Sequence, residues 1–288
     1  MLSISEILGG TMLAYLAAGF CFLLASLWTS HRLRSLATGF MGGGLAAHTL
    51  AFLARWLASY HQATSGAPPA DFWDWLQVAL YQVPLSNFYE SLIFFSWCLA
   101  FLALVFIRRY PEGFLGVVGG LTAALVLAYA SLGADSRIKP LMPALRSNWL
   151  LIHVVTCFLG YAAFALAFGA GILYLVQMVR RTPKNPSPAL LDRLLYRTAV
   201  IGFVFLTLGI LTGAVWAETA WGRYWSWDPK ETASLLTWLI YAALLHARLV
   251  KGWQGRAIAW LAVAGFGAVL FTYFGVSFLL PGLHSYLN

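Results

Sequence analysis

Eight predominantly apolar runs, at about 7–28, 37–57, 87–107, 114–132, 150–176, 198–215, 233–250 and 257–279, constrain what this chain can fold into. Each approaches the roughly 20 residues that an α-helix needs to cross about 30 Å of hydrocarbon. Lipid offers no water to backbone N–H and C=O groups, so they must be satisfied within each run, which makes the runs helices. Composition agrees, since 61% of the 288 residues are hydrophobic and 10% charged, against about 45–50% and about 25% in soluble domains. The expected fold is all-α: a polytopic integral membrane protein with eight transmembrane helices, forming a single helical domain over residues 1–288 without internal repeat. The first run lacks a basic leader and a cleavage site and reads as a retained span.

The net charge of +8 suggests nucleic acid at first. Its distribution excludes that class, because no basic block with interleaved aromatics exists and the charges fall in short connections between apolar runs. Twelve of the Lys and Arg residues share one set of loops: Arg32, Arg34, Arg108, Arg109, Arg180, Arg181, Lys184, Arg193, Arg197, Arg248, Lys251 and Arg256. The opposite set holds six: Arg55, Arg137, Lys139, Arg146, Arg223 and Lys230. The positive-inside rule makes the first set cytoplasmic and places both termini on the outer, periplasmic or lumenal side. Cys21, Cys98 and Cys157 all lie in apolar runs, with no CxxC and no CxxCH. A thiol relay, a disulfide framework and a cytochrome c are thereby excluded.

Two outer loops stand out. The loop at about 58–86 contains APPADFWDWLQVALY, whose residues 70–81 suit a short helix lying in the membrane interface with Phe72, Trp73 and Trp75 at headgroup depth. The loop at about 216–232 reads WAETAWGRYWSWDPKET and gathers Trp216, Trp221, Tyr224, Trp225 and Trp227. An ordinary interfacial belt places one or two aromatics at a helix end. This density makes a platform for a flat π-rich ligand, as readily as it makes a belt. The segment from Asp228 to Glu231 has a structural use of its own, as an N-cap Asp, a first-turn Pro and a capping-box acid that start the next span. The third long loop, about 177–197, is basic and Pro-rich (TPKNPSP) and is expected to be a solvated linker.

Histidine placement adds the chemistry. His31 and His61 fall in loops, whereas His153 and His284 sit at span ends on the same side as the aromatic loop. Two imidazoles flanking an aromatic shelf can supply both axial ligands of a haem iron, although a single His at a span end is more often a polar interfacial residue. His48 and His246 lie inside spans, where an ionisable group is a functional candidate. At 1.5 Å per residue His48 lies roughly 16 Å from the inner surface and His246 about 7 Å, so one iron cannot take both without tilt or a shifted span. His246 is the preferred intramembrane ligand. His48, which can equally serve as a helix-packing hydrogen bond, is a subsidiary candidate with Trp216 and Tyr224.

The segment WGRYWSWDPKETASLLTWLIYAALLHAR resembles the tryptophan-rich "WWD" signature of haem-handling proteins, and within that group the CcsA/ResC type of cytochrome c assembly protein. PLSNFYESLIFFSW at 84–97, LLIHVVTCFLGYAAFALAF at 150–168 and PGLHSY at 281–286 are similar to other stretches of that type. The resemblance runs from about residue 50 onward. It implies cytochrome c maturation by the second system, in which haem b is moved to an external site and attached to the CxxCH thiols of an apocytochrome c. Such a chain is one half of a thioether-forming holocytochrome c synthase, with a CcsB/ResB-type membrane partner, in a bacterial inner membrane or a thylakoid membrane.

Carried over residue by residue, the resemblance makes His153 and His284 the external iron ligands. Trp221, Trp225, Trp227 and Asp228 become the platform, and His246 the intramembrane ligand, its counterpart coming from the partner. Other classes stay open at this point: haem export or delivery without ligase chemistry, a haem-b or quinone electron-transfer subunit, and a structural scaffold. No catalytic residue in the strict sense is identified.

Overall fold

A computed structural model describes residues 3–110, 113–180 and 186–284. Part of the expected basic linker lies outside these residues, as do Arg181, Lys184, and Ser285 and Tyr286 of PGLHSY. The described chain is helical throughout: α1 (Ile4–Trp28), α2 (His31–Thr64), α3 (Phe72–Tyr81), α4 (Phe88–Arg109), α5 (Phe114–Gly133), a 3₁₀ turn (Pro143–Leu145), α6 (Asn148–Arg180), α7 (Pro188–Trp221), α8 (Pro229–Leu249), α9 (Arg256–Leu270), a π-helical turn (Phe271–Gly275) and α10 (Val276–Leu279). Among the described residues eight helices, with α9 to α10 counted as one, are long and apolar enough to cross a membrane. The chain is an all-α polytopic integral membrane protein.

Helix ends follow local chemistry more than hydropathy. Ser30, Asp71, Asn87 and Ser187 cap α2, α3, α4 and α7 by accepting a first-turn N–H on the side chain, and Pro188 occupies the first turn of α7. The caps explain why α2 and α7, each of 34 residues, exceed the expected runs at 37–57 and 198–215. A hydropathy run marks the part that lipid can hold, while the helix continues until its cap. The segment expected to be loop from residue 216 is therefore helical through Trp221, and the open connection is Gly222–Asp228. The short helix expected over 70–81 is present as α3.

Helix α6 is the hub, packing on α4, α5, α7 and α9, while α1 and α2 pair with each other and join through α5 and α4. The closest seam, between α6 and α7, is made of small residues that let helix backbones approach. A Cβ at Gly160 would meet Leu206 N at 3.1 Å, and at Gly202 the Phe164 ring at 2.4 Å. The same face of α7 continues to Gly209 against Cys157 and to Gly213 against His153. Large side chains such as Leu13, Leu53, Leu211 and Leu236 point outward uncovered, and lipid is the solvent that suits them.

Two charge clusters were not legible as such. Arg55, counted among loop charges in the sequence, is buried in α2. Its Nε donates to Glu90 Oε1 at 3.0 Å and its Nη1 to the Ser136 carbonyl at 2.8 Å. Glu90 also accepts from the Ser86 N–H at 2.9 Å. The pair ties α2 to the start of α4, and burial of each charge is tolerated only because the other is present. At the opposite ends of the bundle Arg248 holds Asp192 through two nitrogens, at 2.6 and 3.1 Å, and Asp192 accepts the Gly255 N–H at 2.8 Å.

Candidate functional site

The site is assembled where α7 ends and α8 begins. Asp228 caps α8 and accepts from the Lys230 N–H at 2.9 Å, while Glu231 returns a bond to the Asp228 N–H at 3.1 Å. Glu231 also accepts from the Ser226 N–H at 2.8 Å. Both backbone neighbours of Trp227 are thus pinned to one carboxylate. Trp227 itself has φ +59°, a left-handed conformation that costs a bulky residue on the order of 1–3 kcal/mol and persists only where its surroundings impose it. Its indole points outward, 68% exposed, perpendicular to the Trp225 ring.

The two span-end histidines converge on one tryptophan. His153 stacks on Trp216 with ring centroids 5.8 Å apart, and His284 meets the edge of Trp216 at 5.5 Å and of Trp221 at 4.9 Å. Trp216 is buried, and its Nε1 donates to the Ala144 carbonyl at 3.0 Å in the 3₁₀ turn. That bond, and a small apolar cluster with Leu145 and Leu150, fix the indole against both imidazoles. In the sequence Trp216 is only a subsidiary candidate. Its place in the last turns of α7 gives it the central position.

Each imidazole is oriented through Nδ1. His153 Nδ1 lies 2.8 Å from the Gly209 carbonyl, and His284 Nδ1 lies 2.9 Å from Asp228 Oδ1. Carbonyl and carboxylate oxygens only accept, so both Nδ1 atoms carry the proton and both Nε2 atoms present a lone pair. Neither Nε2 has a hydrogen-bond partner among the described residues. An outer acceptor that fixes the ring and leaves the second nitrogen open is the arrangement by which proteins prepare histidine for a metal. Asp228 consequently has two tasks, capping α8 and holding His284. Burial pushes its carboxyl pKa up, but bonds from His284, the Lys230 N–H and the Leu283 N–H outweigh that and bring it down to about 2.

Both histidines line one open cleft of about 190 Å³ between α4, α6, α7, α8 and the π turn. Pockets that enclose small molecules span about 300–1,000 Å³, so a large planar ligand seated here must project through the open mouth. Trp216, Tyr224 and Trp225 line it, while Trp221 stands behind His284 and Trp227 faces outward. Tyr273, from the π turn, forms much of the floor with Phe88 and Phe158, its hydroxyl 2.6 Å from Ser91 Oγ. Sequence reasoning missed this floor, because a π turn has no hydropathy signature.

The intramembrane histidines stand apart. His48 is fully buried on α2, its Nδ1 3.1 Å from the Tyr15 hydroxyl, among helices α1 and α4. His246 is exposed in the last turn of α8, a helix that packs on α7 and α9. They do not form a shared site, which agrees with their unequal depths.

A family model described as "Cytochrome C assembly protein" matches residues 85–284, a segment holding every cleft residue named above. Three relatives, each described as "Cytochrome c biogenesis protein CcsA", resemble the chain. The protein from Chlamydomonas reinhardtii is 46% identical over 213 residues, 70% of this chain and 60% of its own length. That from Guillardia theta is 41% identical, covering 70% and 76%. That from Synechococcus sp. (strain RCC307) is 39% identical, covering 74% and 78%. Among solved structures, "Cytochrome c Heme Lyase CcmF" superposes with a TM-score of 0.67 at 19% identity, over 95% of this chain and 47% of that one. That likeness is one of fold.

Proposed function

The chain belongs to the cytochrome c assembly protein family, as a CcsA-type member, and we propose that it holds haem for attachment to an apocytochrome c. The observation that supports this reading is the pair of imidazoles, each with Nδ1 tied to an acceptor and Nε2 open, both packed against Trp216. His153 and His284 supply the two axial nitrogens. Tyr224 and Trp225 wall the ring, while Trp216 and Trp221 hold the imidazoles. Trp227, exposed at the rim, meets the incoming peptide.

The substrate is haem b, whose vinyl groups are what a CxxCH motif needs. Each cysteine S–H adds across a vinyl double bond: sulfur bonds to one carbon, the proton goes to the other, and nothing leaves. The CxxCH histidine displaces one of the two protein imidazoles. The protein contributes proximity and orientation, which are worth about 7–11 kcal/mol when the reacting atoms are well placed. The face bearing the aromatic loop is the outer one, because the basic residues concentrate at the other. A CcsB/ResB-type membrane partner covers the exposed His246 and completes an entry site there. The host is a bacterial inner membrane or a thylakoid membrane. Helix α3 lies along the interface, with Phe72 and Trp73 in the headgroups.

The test is the absorption spectrum of the detergent-purified chain beside a His153→Ala/His284→Ala variant. The wild type is expected to show a low-spin bis-imidazole haem spectrum that the variant loses. Haem bound equally by both would move the iron elsewhere and make His246 the next residue to change. No haem in the wild type, even when coexpressed with the partner, would return the aromatic loop to a belt or a docking surface.

A further inference from the structure

Lys230 carries a charge that feels the nearby Asp228 carboxylate but makes no direct ion pair among the described residues. It sits in the first turn of α8 and lines the cleft. Its Nζ donates to Ser277 Oγ at 3.0 Å, and that hydroxyl donates onward to the Tyr273 carbonyl at 2.7 Å. An ammonium has three donors, so two remain unspent. None of the ion pairs among the described residues includes Lys230. The two nearest carboxylates in sequence are occupied: Glu231 with the Ser226 and Asp228 backbone, and Asp228 with His284, Leu283 and the Lys230 N–H. The surrounding walls are largely aromatic and aliphatic. A cation in such surroundings is costly unless it is paired.

We propose that Lys230 binds a carboxylate of the ligand that occupies this cleft and thereby sets which edge of the ring faces the mouth. The inference rests on the haem reading above, in which the carboxylate is a propionate. In haem b the propionates and the vinyls lie on opposite sides of the ring. A propionate held at Lys230 turns the vinyls away from α8 and α10, toward the side from which a peptide can approach. The two histidines alone would accept the ring in any rotation about the iron axis. Lys230 is the group that distinguishes those rotations.

The experiment titrates the full chain in detergent with haemin and with haemin dimethyl ester, in which both carboxylates are masked. Wild type, Lys230→Met and Lys230→Arg are compared. The wild type is expected to bind haemin at least about tenfold more tightly than the ester, the scale of one charge-assisted hydrogen bond. Lys230→Met is expected to lose that preference while keeping the bis-imidazole spectrum, and Lys230→Arg to retain it. Equal wild-type affinity for acid and ester overturns the inference and leaves the haem reading standing. A full preference surviving in Lys230→Met overturns it too. A wild type that binds neither porphyrin removes the haem reading, and the inference falls with it. The wild-type comparison of two ligands needs no variant to fold.

Discussion

Replacing Gly213 with alanine tests whether the α6–α7 seam sets the ligand geometry without deleting any ligand. A Cβ at that position would stand 2.6 Å from His153 Nδ1 and 2.7 Å from Cε1. Ordinary contact begins at about 3.5 Å, so the imidazole must withdraw by about 1 Å. The 2.8 Å bond to the Gly209 carbonyl would lengthen to roughly 3.6 Å, which is no longer a hydrogen bond. Leaving that donor unpaired costs about 1–3 kcal/mol. Alanine in a helix interior returns about 0.8–1 kcal/mol relative to glycine. The expected net loss of stability is small, about 0–2 kcal/mol. The expected loss of haem affinity is large, about 10–100-fold, as when an outer-shell partner of a ligating histidine is removed. Haemin titration followed by absorbance, with thermal unfolding of the same preparation, separates the two quantities. Gly9→Ala is the control, because nothing lies within 4 Å of its Cβ. A Gly213→Ala chain with wild-type affinity and an unchanged low-spin spectrum would refute the reasoning.

Two further outcomes follow from the charged groups. Asp228 has a folded pKa of about 2, below the unfolded value of about 3.9, so its stabilisation is fully present above about pH 4 and fades as pH falls toward the folded value. The stability gap between wild type and Asp228→Asn, read from thermal midpoints across pH 2–7, is therefore expected to be flat above about pH 5 and to narrow in acid; a gap that widened in acid would contradict the assignment. Glu90→Gln leaves the buried Arg55 without a counter-charge and is expected to destabilise by about 3–5 kcal/mol, while the double variant Arg55→Met/Glu90→Leu recovers much of the loss; denaturant titration in detergent checks the sign of the recovery.

The sequence made the spans legible because lipid imposes one requirement on every residue of a run. It made the α8 start legible because Asp228, Pro229 and Glu231 have a local logic that needs no tertiary partner. It singled out His153 and His284 as candidates through the family resemblance and their common side. The bond that orients His153 was not legible, since the Gly209 carbonyl is 56 residues away and any helical residue owns a carbonyl. Trp216 was undervalued for a similar reason: its burial depends on the 3₁₀ turn at Pro143–Leu145, which hydropathy leaves blank. Arg55 was misplaced because a charge near a span end is usually solvated, and only the fold brings Glu90 to it.

The π turn at Phe271–Gly275 makes the rotational phase of the last span an adjustable quantity. Such a turn holds one residue more than an α-helical turn. Dropping a single residue there would restore a regular helix without changing the span's hydropathy or its ability to cross lipid. Ser277 and everything beyond it, His284 included, would be carried about 100° around the axis. Two chains differing by that one residue would draw the same hydropathy plot and aim the C-terminal imidazole at different neighbours. Within this architecture, a length change of one at 271–275 is a change of site rather than a change of loop.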